Sequence, residues 1–360
     1  MRLPSSTFWQ GRRVLVTGHT GFKGSWLCLW LSRLGARVSG YALPAATNPS
    51  LYELMCLEKR LERSGLGDIR NRQAVQQFLQ ETAPEIVFHL AAQPLVRQSY
   101  ADPVGTYETN VMGTINLLEA IRFTPSVRAI VNVTTDKCYD NRERADAAYA
   151  ETDPLGGYDP YSNSKACSEL VTAAYRSSFF NPADYSRHQV AVATARAGNV
   201  IGGGDWAADR LLPDCLRALL AHQPIVLRCP AAIRPWQHVI DPLCGYLLLA
   251  ERLVVEGPVW GEAWNFGPAA AEACTVEWVV RRFCQAWGGD FALEMPGNSG
   301  PHEATCLKLD VTKARQRLGW RSEIDVATAI DLTAAWMKQQ TQGQEAYCLC
   351  LKQLESRIPS

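Results

Sequence analysis

Short apolar runs alternate with longer segments of helical spacing through the first two-thirds of the chain. Residues 13–17 form a β-branched run ending at Gly18, and 25–34 carry Leu and Trp at helical intervals until Gly35. A second strand reads at 37–43, a polar helix at 71–81 stopped near Pro84, and an apolar strand at 85–90. A longer helix fits 103–123, a strand 129–134, a helix 161–180 and a strand 189–195. Strands this apolar, separated by helices, predict parallel βαβ units with both sheet faces covered.

After Ala197 the rhythm loosens. The triplet Gly202-Gly203-Gly204 breaks the chain, and helices read at 210–221, within 234–255 behind a loop, and at 276–287. A strand reads at 263–266. Neither a repeat nor a low-complexity linker sets this stretch apart, so the second region is expected to interleave with the first.

Composition adds exclusions. With 360 residues, 47% hydrophobic and 20% charged, the chain can bury a full core. Its formal net charge is zero, which gives no field drawing nucleic acid or an acidic membrane, so an anionic ligand needs locally placed Arg, Lys and backbone amides. A secretory leader is not expected, no run of about 18 apolar residues is present, and a cytoplasmic protein without a membrane span is expected. The twelve cysteines lack metal-ligand spacing; even Cys348 and Cys350 are one residue apart. Reduced thiols and no metal are expected.

Between the first strand and helix stands Thr17-Gly18-His19-Thr20-Gly21-Phe22-Lys23-Gly24. Gly18 permits a tight turn, Gly21 admits a pyrophosphate against backbone, and Gly24 allows close helix–strand packing. The helix N-terminus offers unpaired amides to phosphates. These features predict an α/β fold: a Rossmann-type doubly wound parallel sheet with a smaller interleaved α/β substrate-binding region. The dinucleotide-binding domain is expected at 1–195 plus about 235–255, and the substrate-binding region at 196–234 and 256–360. Cofactor contacts are expected from Gly18, His19, Thr20, Gly21, Phe22, Lys23 and Gly24. Asp68 and Ile69 suit an adenine contact, and Leu90, Ala91, Ala92 and Gln93 end the strand at 85–90. Asn110 and Thr134 complete that set.

Tyr161 and Lys165 lie four residues apart, on one helix face, with Cβ atoms within about 6 Å. A lysine cation beside the phenol, together with an oxidised nicotinamide, is expected to lower the tyrosine pKa and make it a base. Thr135 is placed to hydrogen-bond the reacting hydroxyl. Asp136 and Lys137 follow it at a strand end, where this fold opens its crevice.

Longer strings resemble the extended short-chain dehydrogenase/reductase family, and within it the CDP-glucose 4,6-dehydratases. They are Gly18 to Leu27, Thr47-Asn48-Pro49-Ser50-Leu51, Ala91 to Arg97, Thr135 to Asn141, Gly157 to Tyr161, Arg196 to Trp206, Arg234 to His238 and Trp264 to Pro268. The resemblance spans nearly the whole chain. It implies that Tyr161 deprotonates the glucose C4 hydroxyl as C4 is oxidised by NAD, giving a ketone that acidifies C5. Asp136 then protonates the departing C6 hydroxyl, Lys137 removes the C5 proton, and reduction at C6 regenerates NAD. Lys137 stands where related dTDP-glucose enzymes carry glutamate. The resemblance also implies that the substrate-binding region is a sugar-nucleotide site, with substrate contacts from Gln93, Thr135, Arg196, Asn199, Asp205, Trp206, Arg210, Arg234, Trp236 and Asn265, and with His302-Glu303 bordering the ribose or lying on a surface loop. Arg234 suits a bidentate phosphate contact, and either tryptophan could equally be core. A homodimer through the helices at 103–123 and 161–180, possibly a tetramer, is implied too.

Alternatives are another nucleotide-sugar 4,6-dehydratase, a 4-epimerase, which needs no Asp136–Lys137 pair, and a redox-sensing binding protein, which typically loses Tyr or Lys. One expected feature is missing: Ser39-Gly40-Tyr41-Ala42-Leu43 has no carboxylate for the adenosine ribose. That removes the usual marker of NAD over NADP and predicts weak cofactor retention. Isolated protein assayed by equilibrium dialysis should hold NAD well above nanomolar Kd; nanomolar retention would contradict the reading.

Overall fold

The computed structural model describes residues 2–143, 148–269, 272–297 and 304–357, so His302 and Glu303 lie outside the described residues. Seven strands form the central sheet: β1 (Arg13–Thr17), β2 (Arg37–Ala42), β3 (Arg63–Leu66), β4 (Ile86–His89), β5 (Ala129–Val133), β6 (Ala191–Ala197) and β7 (Ala263–Phe266). Their order is β7-β6-β5-β4-β1-β2-β3, and every pairing is parallel. Strand order reverses between β1 and β4, which opens a crevice at their carboxyl ends.

Successive side chains leave opposite faces, and the core divides accordingly. Val14, Val16, Ile86, Phe88, Val131 and Val133 join one cluster, with α1 (Phe22–Arg33) and a helix at Ile240–Glu256. Leu15, Val87, Ile130 and Val192 join another, under α2 (Arg72–Thr82) and the helix at Gly113–Arg122. Helix α1 buries eight consecutive residues, Gly24 through Leu31, because a further helical layer covers its outer side. That layer includes the helix Ala346–Glu355, which packs on α3 (Val326–Thr341), whose Trp336 fills the space above Gly203.

Two boundaries differ from expectation. Residues 263–266, assigned by pattern to the second region, form the outer strand of the central sheet, paired with β6. The segment from 234 begins with two short strands, Ile233–Arg234 and Gln237–His238, before its helix starts at Ile240. The second region is otherwise built from two-stranded pieces: Val200–Ile201 with Gln237–His238, Ile233–Arg234 with Cys274–Thr275, and Ile225–Val226 with Leu293–Glu294. Helices Leu211–Leu220 and Val276–Trp287 pack on the last two of these, and α3 on the first. The helix expected at 103–123 runs from Pro103 to Arg122 but holds a π turn at Glu108–Met112, which turns Asn110 inward.

The helix Pro160–Ser178 begins on an Asp159 cap, whose carboxylate accepts from the Ser162 amide at 2.9 Å, with Pro160 in the first turn. Farther along, Glu169 ties it to the sheet. Its carboxylate meets Arg196 of β6 at 2.9 Å and accepts from Thr194 at 2.7 Å and from Thr134 after β5. Arg196 also donates to the Tyr139 hydroxyl at 2.9 Å, and Tyr139 donates to Asn265 of β7 at 2.7 Å. Four segments are thus fastened by one buried polar network.

Three buried histidines give the fold a pH dependence. Desolvation holds His19 at about 4 and His89 and His238 at about 3, below their ordinary 6.5. The unfolded chain binds protons at these positions below about pH 6.5 while the folded chain does not, so stability falls as pH drops. Burial pushes Asp241 up to about 6 and raises Glu151 and Glu251, which offsets part of the loss at and below pH 6. Urea unfolding at pH 7.5 and 6.0 should show about 2 kcal/mol less stability at the lower pH. Identical stabilities would show that these histidines are not held neutral.

Candidate active site

The crevice widens into a cavity of about 880 Å³ that runs from the glycine turn past Tyr161 into the second region. At its floor, Gly18 has φ +74°, and a Cβ there would stand 2.7 Å from the Ala91 amide nitrogen. At Gly24 a Cβ would stand 2.1 Å from the Gly18 carbonyl oxygen. Only glycine allows β1, α1 and the segment after β4 to approach this closely. Gly21 caps α1 without a side-chain hydrogen bond, leaving the first-turn amides for an anion. Thr17 fixes the opposite wall by accepting from the amides of Leu90 and Ala91 at 3.1 and 3.2 Å. A pyrophosphate-linked dinucleotide fits this cradle.

Gly18, Thr20, Gly21, Phe22, Lys23, Gly24, Asp68, Ile69, Leu90, Ala91, Ala92 and Thr134 all line the cavity. Three expected cofactor contacts do not. His19 points behind the turn, its Nε2 2.8 Å from the Ser64 hydroxyl and its ring edge-on to Tyr52. The Gln93 side chain bonds Leu95 and Thr106, and Asn110 donates to the Gln93 carbonyl and to Ser164. Both shape the wall without facing the ligand. Asp68 is gripped by Arg70, whose Nη2 lies 2.6 Å away. Where an acid would hold the adenosine ribose, Leu43 lines the rim, 52% exposed.

The redox pair is buried beside β5. Lys165 donates to the Val133 carbonyl at 3.1 Å. Thr135 stands beside Tyr161 and donates to Asp136 at 3.0 Å. The expectation that Lys165 lowers the tyrosine pKa is not met by the chain alone. Burial dominates and pushes Tyr161 up to about 12, while Lys165 falls to about 8. The cation that does bear on Tyr161 is Arg210, held by Asp205 at 2.8 Å. Lys23 reaches the same centre: it donates to Tyr246 at 2.9 Å, and burial plus the charges of Lys165 and Arg210 lower it to about 7. Asp136 is the counter-charge, buried, with Oδ2 free of hydrogen-bond partners in the structure. Lys137 is half-buried in the same cavity.

Of the substrate residues, Asn199, Asp205, Arg210, Arg234 and Trp236 join Thr135 in lining the cavity. Arg196, Trp206 and Asn265 do not. Arg196 and Asn265 are consumed by the Glu169–Tyr139 network, Asn265 also donating to the carbonyls of Tyr149 and Asp310. Trp206 packs against the main hydrophobic cluster. Pattern reading missed Gly198: a Cβ there would stand 1.8 Å from Asp136 Oδ2, so glycine makes room for that carboxylate. It also missed Arg97, Asp209 and Arg228, which line the outer cavity and carry no motif spacing.

Comparison with known proteins agrees with this geometry. The GDP-mannose 4,6 dehydratase family model matches residues 15–333. A CDP-glucose 4,6-dehydratase of Salmonella typhimurium strain LT2 is 53% identical over 338 residues, 94% of each chain. A dTDP-glucose 4,6-dehydratase of Xanthomonas campestris pv. campestris is 28% identical over 89% of this chain and 92% of its own. Among solved structures, a dTDP-glucose 4,6-dehydratase of Streptomyces venezuelae with NAD bound superposes at TM-score 0.78 with 26% identity, covering 93% of this chain and 99% of its own. A UDP-glucose-4-epimerase of Stenotrophomonas maltophila, with 20% identity, 92% and 100% coverage and the same TM-score, shares the fold. The chain, with its glycine turn and buried Tyr161–Lys165 pair, belongs to the GDP-mannose 4,6 dehydratase family.

Proposed function

We propose that this protein is an NAD-dependent CDP-glucose 4,6-dehydratase that converts CDP-D-glucose to CDP-4-keto-6-deoxy-D-glucose and water, for deoxysugar biosynthesis. The observation that carries the reading is the convergence of Tyr161, Thr135, Asp136 and Lys137 on one cavity with the glycine turn. The 53% identical Salmonella dehydratase supports the choice of substrate. NAD, held by the cradle of Gly18, Gly21 and Gly24 and the wall of Leu90, Ala91 and Ala92, supplies a reversible two-electron acceptor.

Tyr161 takes the proton of the sugar C4 hydroxyl as C4 is oxidised, with Thr135 orienting that oxygen. At about 12 in the chain alone, Tyr161 needs further positive charge to act at neutral pH, which the positive charge of a bound oxidised nicotinamide would supply. Lys165, buried one turn along the helix, would position the cofactor. The C4 ketone makes the C5 proton acidic, and Lys137 removes it. Asp136 delivers a proton to the C6 oxygen, which departs as water; reduction at C6 and proton return at C5 complete the cycle. Arg234 and Asn199 hold the diphosphate side, and Trp236 frames the nucleotide.

We also propose a homodimer in the cytoplasm. Among the described residues, no helix is long and apolar enough to cross a membrane. The helix run Pro103 to Arg122 and the helix Pro160–Ser178 leave Val104, Met112 and Leu170 exposed at 67%, 48% and 59%. Apolar side chains on adjoining helices suit a second copy of this chain. Replacing Leu170 by Asp should convert a dimer to monomer in sedimentation; an unchanged species would move the interface elsewhere.

For the chemistry, incubation with CDP-glucose and NAD in deuterated water should give a product lighter by one water, after correction for label, with deuterium at C5. Failure to incorporate C5 deuterium would remove the dehydratase reading. Tyr161→Phe should abolish turnover while CDP-glucose still binds.

A further inference from the structure

The cavity mouth carries an arrangement that the proposed reaction does not use. Asp209 lies between two guanidiniums from separate parts of the fold. Arg97, on the helix Val96–Ala101 behind β4, places Nε 3.6 Å from Asp209 Oδ1. Arg228, just after the strand Ile225–Val226, places Nη1 3.3 Å from the same oxygen. All three line the cavity. The hold is loose: Nε of Arg97 makes no hydrogen bond in the structure, and the three side chains are 38%, 39% and 32% exposed. Other acids at this end have nearer partners, Asp205 with Arg210 and Asp214 with Arg217. Asp209 also holds φ +59°, a left-handed conformation that an aspartate tolerates better than most residues.

One carboxylate oxygen shared by two arginines is a weak match. Guanidinium forks pair bidentately with phosphate, and a diphosphate carries more charge than a carboxylate. We propose that Asp209 competes with the phosphates of the nucleotide sugar for Arg97 and Arg228, so that substrate entry exchanges one anion for the other. The exchange would free Asp209 one residue from Arg210, which lines the same cavity as Tyr161. Filling of the outer cavity is thereby linked to the charge around the base. This rests on the nucleotide-sugar reading above.

The test uses the full-length protein with NAD at saturation, so that the glycine turn is filled, and measures CDP and cytidine affinity by calorimetry. Asp209→Asn keeps the left-handed backbone while removing the charge. It should tighten CDP by about fivefold and leave cytidine within about twofold. Arg97→Ala should weaken CDP by about tenfold. A Asp209→Asn protein that binds CDP no better than the parent, or that gains equally for cytidine, overturns the proposal; so does absence of CDP binding. Turnover of CDP-glucose is scored separately. Tighter CDP binding without turnover would keep the exchange and refute the substrate, whereas turnover with unchanged CDP affinity would do the reverse.

Discussion

Glu169 and Arg196 face each other at 2.9 Å with side chains 3% and 4% exposed, and the position of nearly every reacting group depends on that pair. Burying two charges is costly, and their attraction alone does not repay it. Here most of the remaining lone pairs and protons are used: Thr134 and Thr194 donate to the carboxylate, and Arg196 donates to Tyr139 and to the Glu151 carbonyl, while its Nε has no partner. Loss of either charge would strand the other, at about 3–5 kcal/mol. An apolar substitute of the same volume could match the energy but not the connections. Glu169 is one helical turn from Lys165 and two from Tyr161, so the pair fixes the redox helix against the ends of β5 and β6.

This anchoring explains how three cations tolerate one small volume. Lys23, Lys165 and Arg210 act on each other or on Tyr161 beside three buried carboxylates, Asp136, Asp205 and Glu169. Burial and mutual repulsion lower Lys23 to about 7, and burial lowers Lys165 to about 8, so neither is a strongly committed ammonium near neutral pH. Tyr161 is pushed in the unhelpful direction by the same burial. The protein therefore builds a site whose base is idle until further positive charge arrives next to it. In the proposed reaction that makes base strength conditional on a filled cofactor cradle.

The sheet, its parallel sense and the glycine turn were readable because they rest on local signals: continuous apolar runs, helical spacing and glycines where no Cβ fits. The Tyr161–Lys165 spacing was readable for the same reason. What failed depended on long-range pairing. Strand β7 has only four residues, and its own pattern does not say which sheet receives it. Arg196 and Asn265 are expected as ligands only because the family resemblance implies it; their partners, Glu169 and Tyr139, lie 27 and 126 residues away. His19 sits inside the glycine motif yet points away, since Gly40 on β2 leaves the space its ring fills.

Gly198 shows how the two chemical pairs are joined. It stands two residues after Arg196, where β6 has just ended, and its missing side chain is the space occupied by the Asp136 carboxylate. Asp136 in turn follows Thr135, which stands beside Tyr161 and donates to Asp136. The ion pair that sets the redox helix therefore also sets the backbone against which Asp136 packs. A fold that needed only oxidation and re-reduction at one carbon would have no use for a buried carboxylate with an unpartnered oxygen at this point. Retaining one costs stability, and the proposed protonation of the C6 oxygen gives that unpartnered oxygen a task.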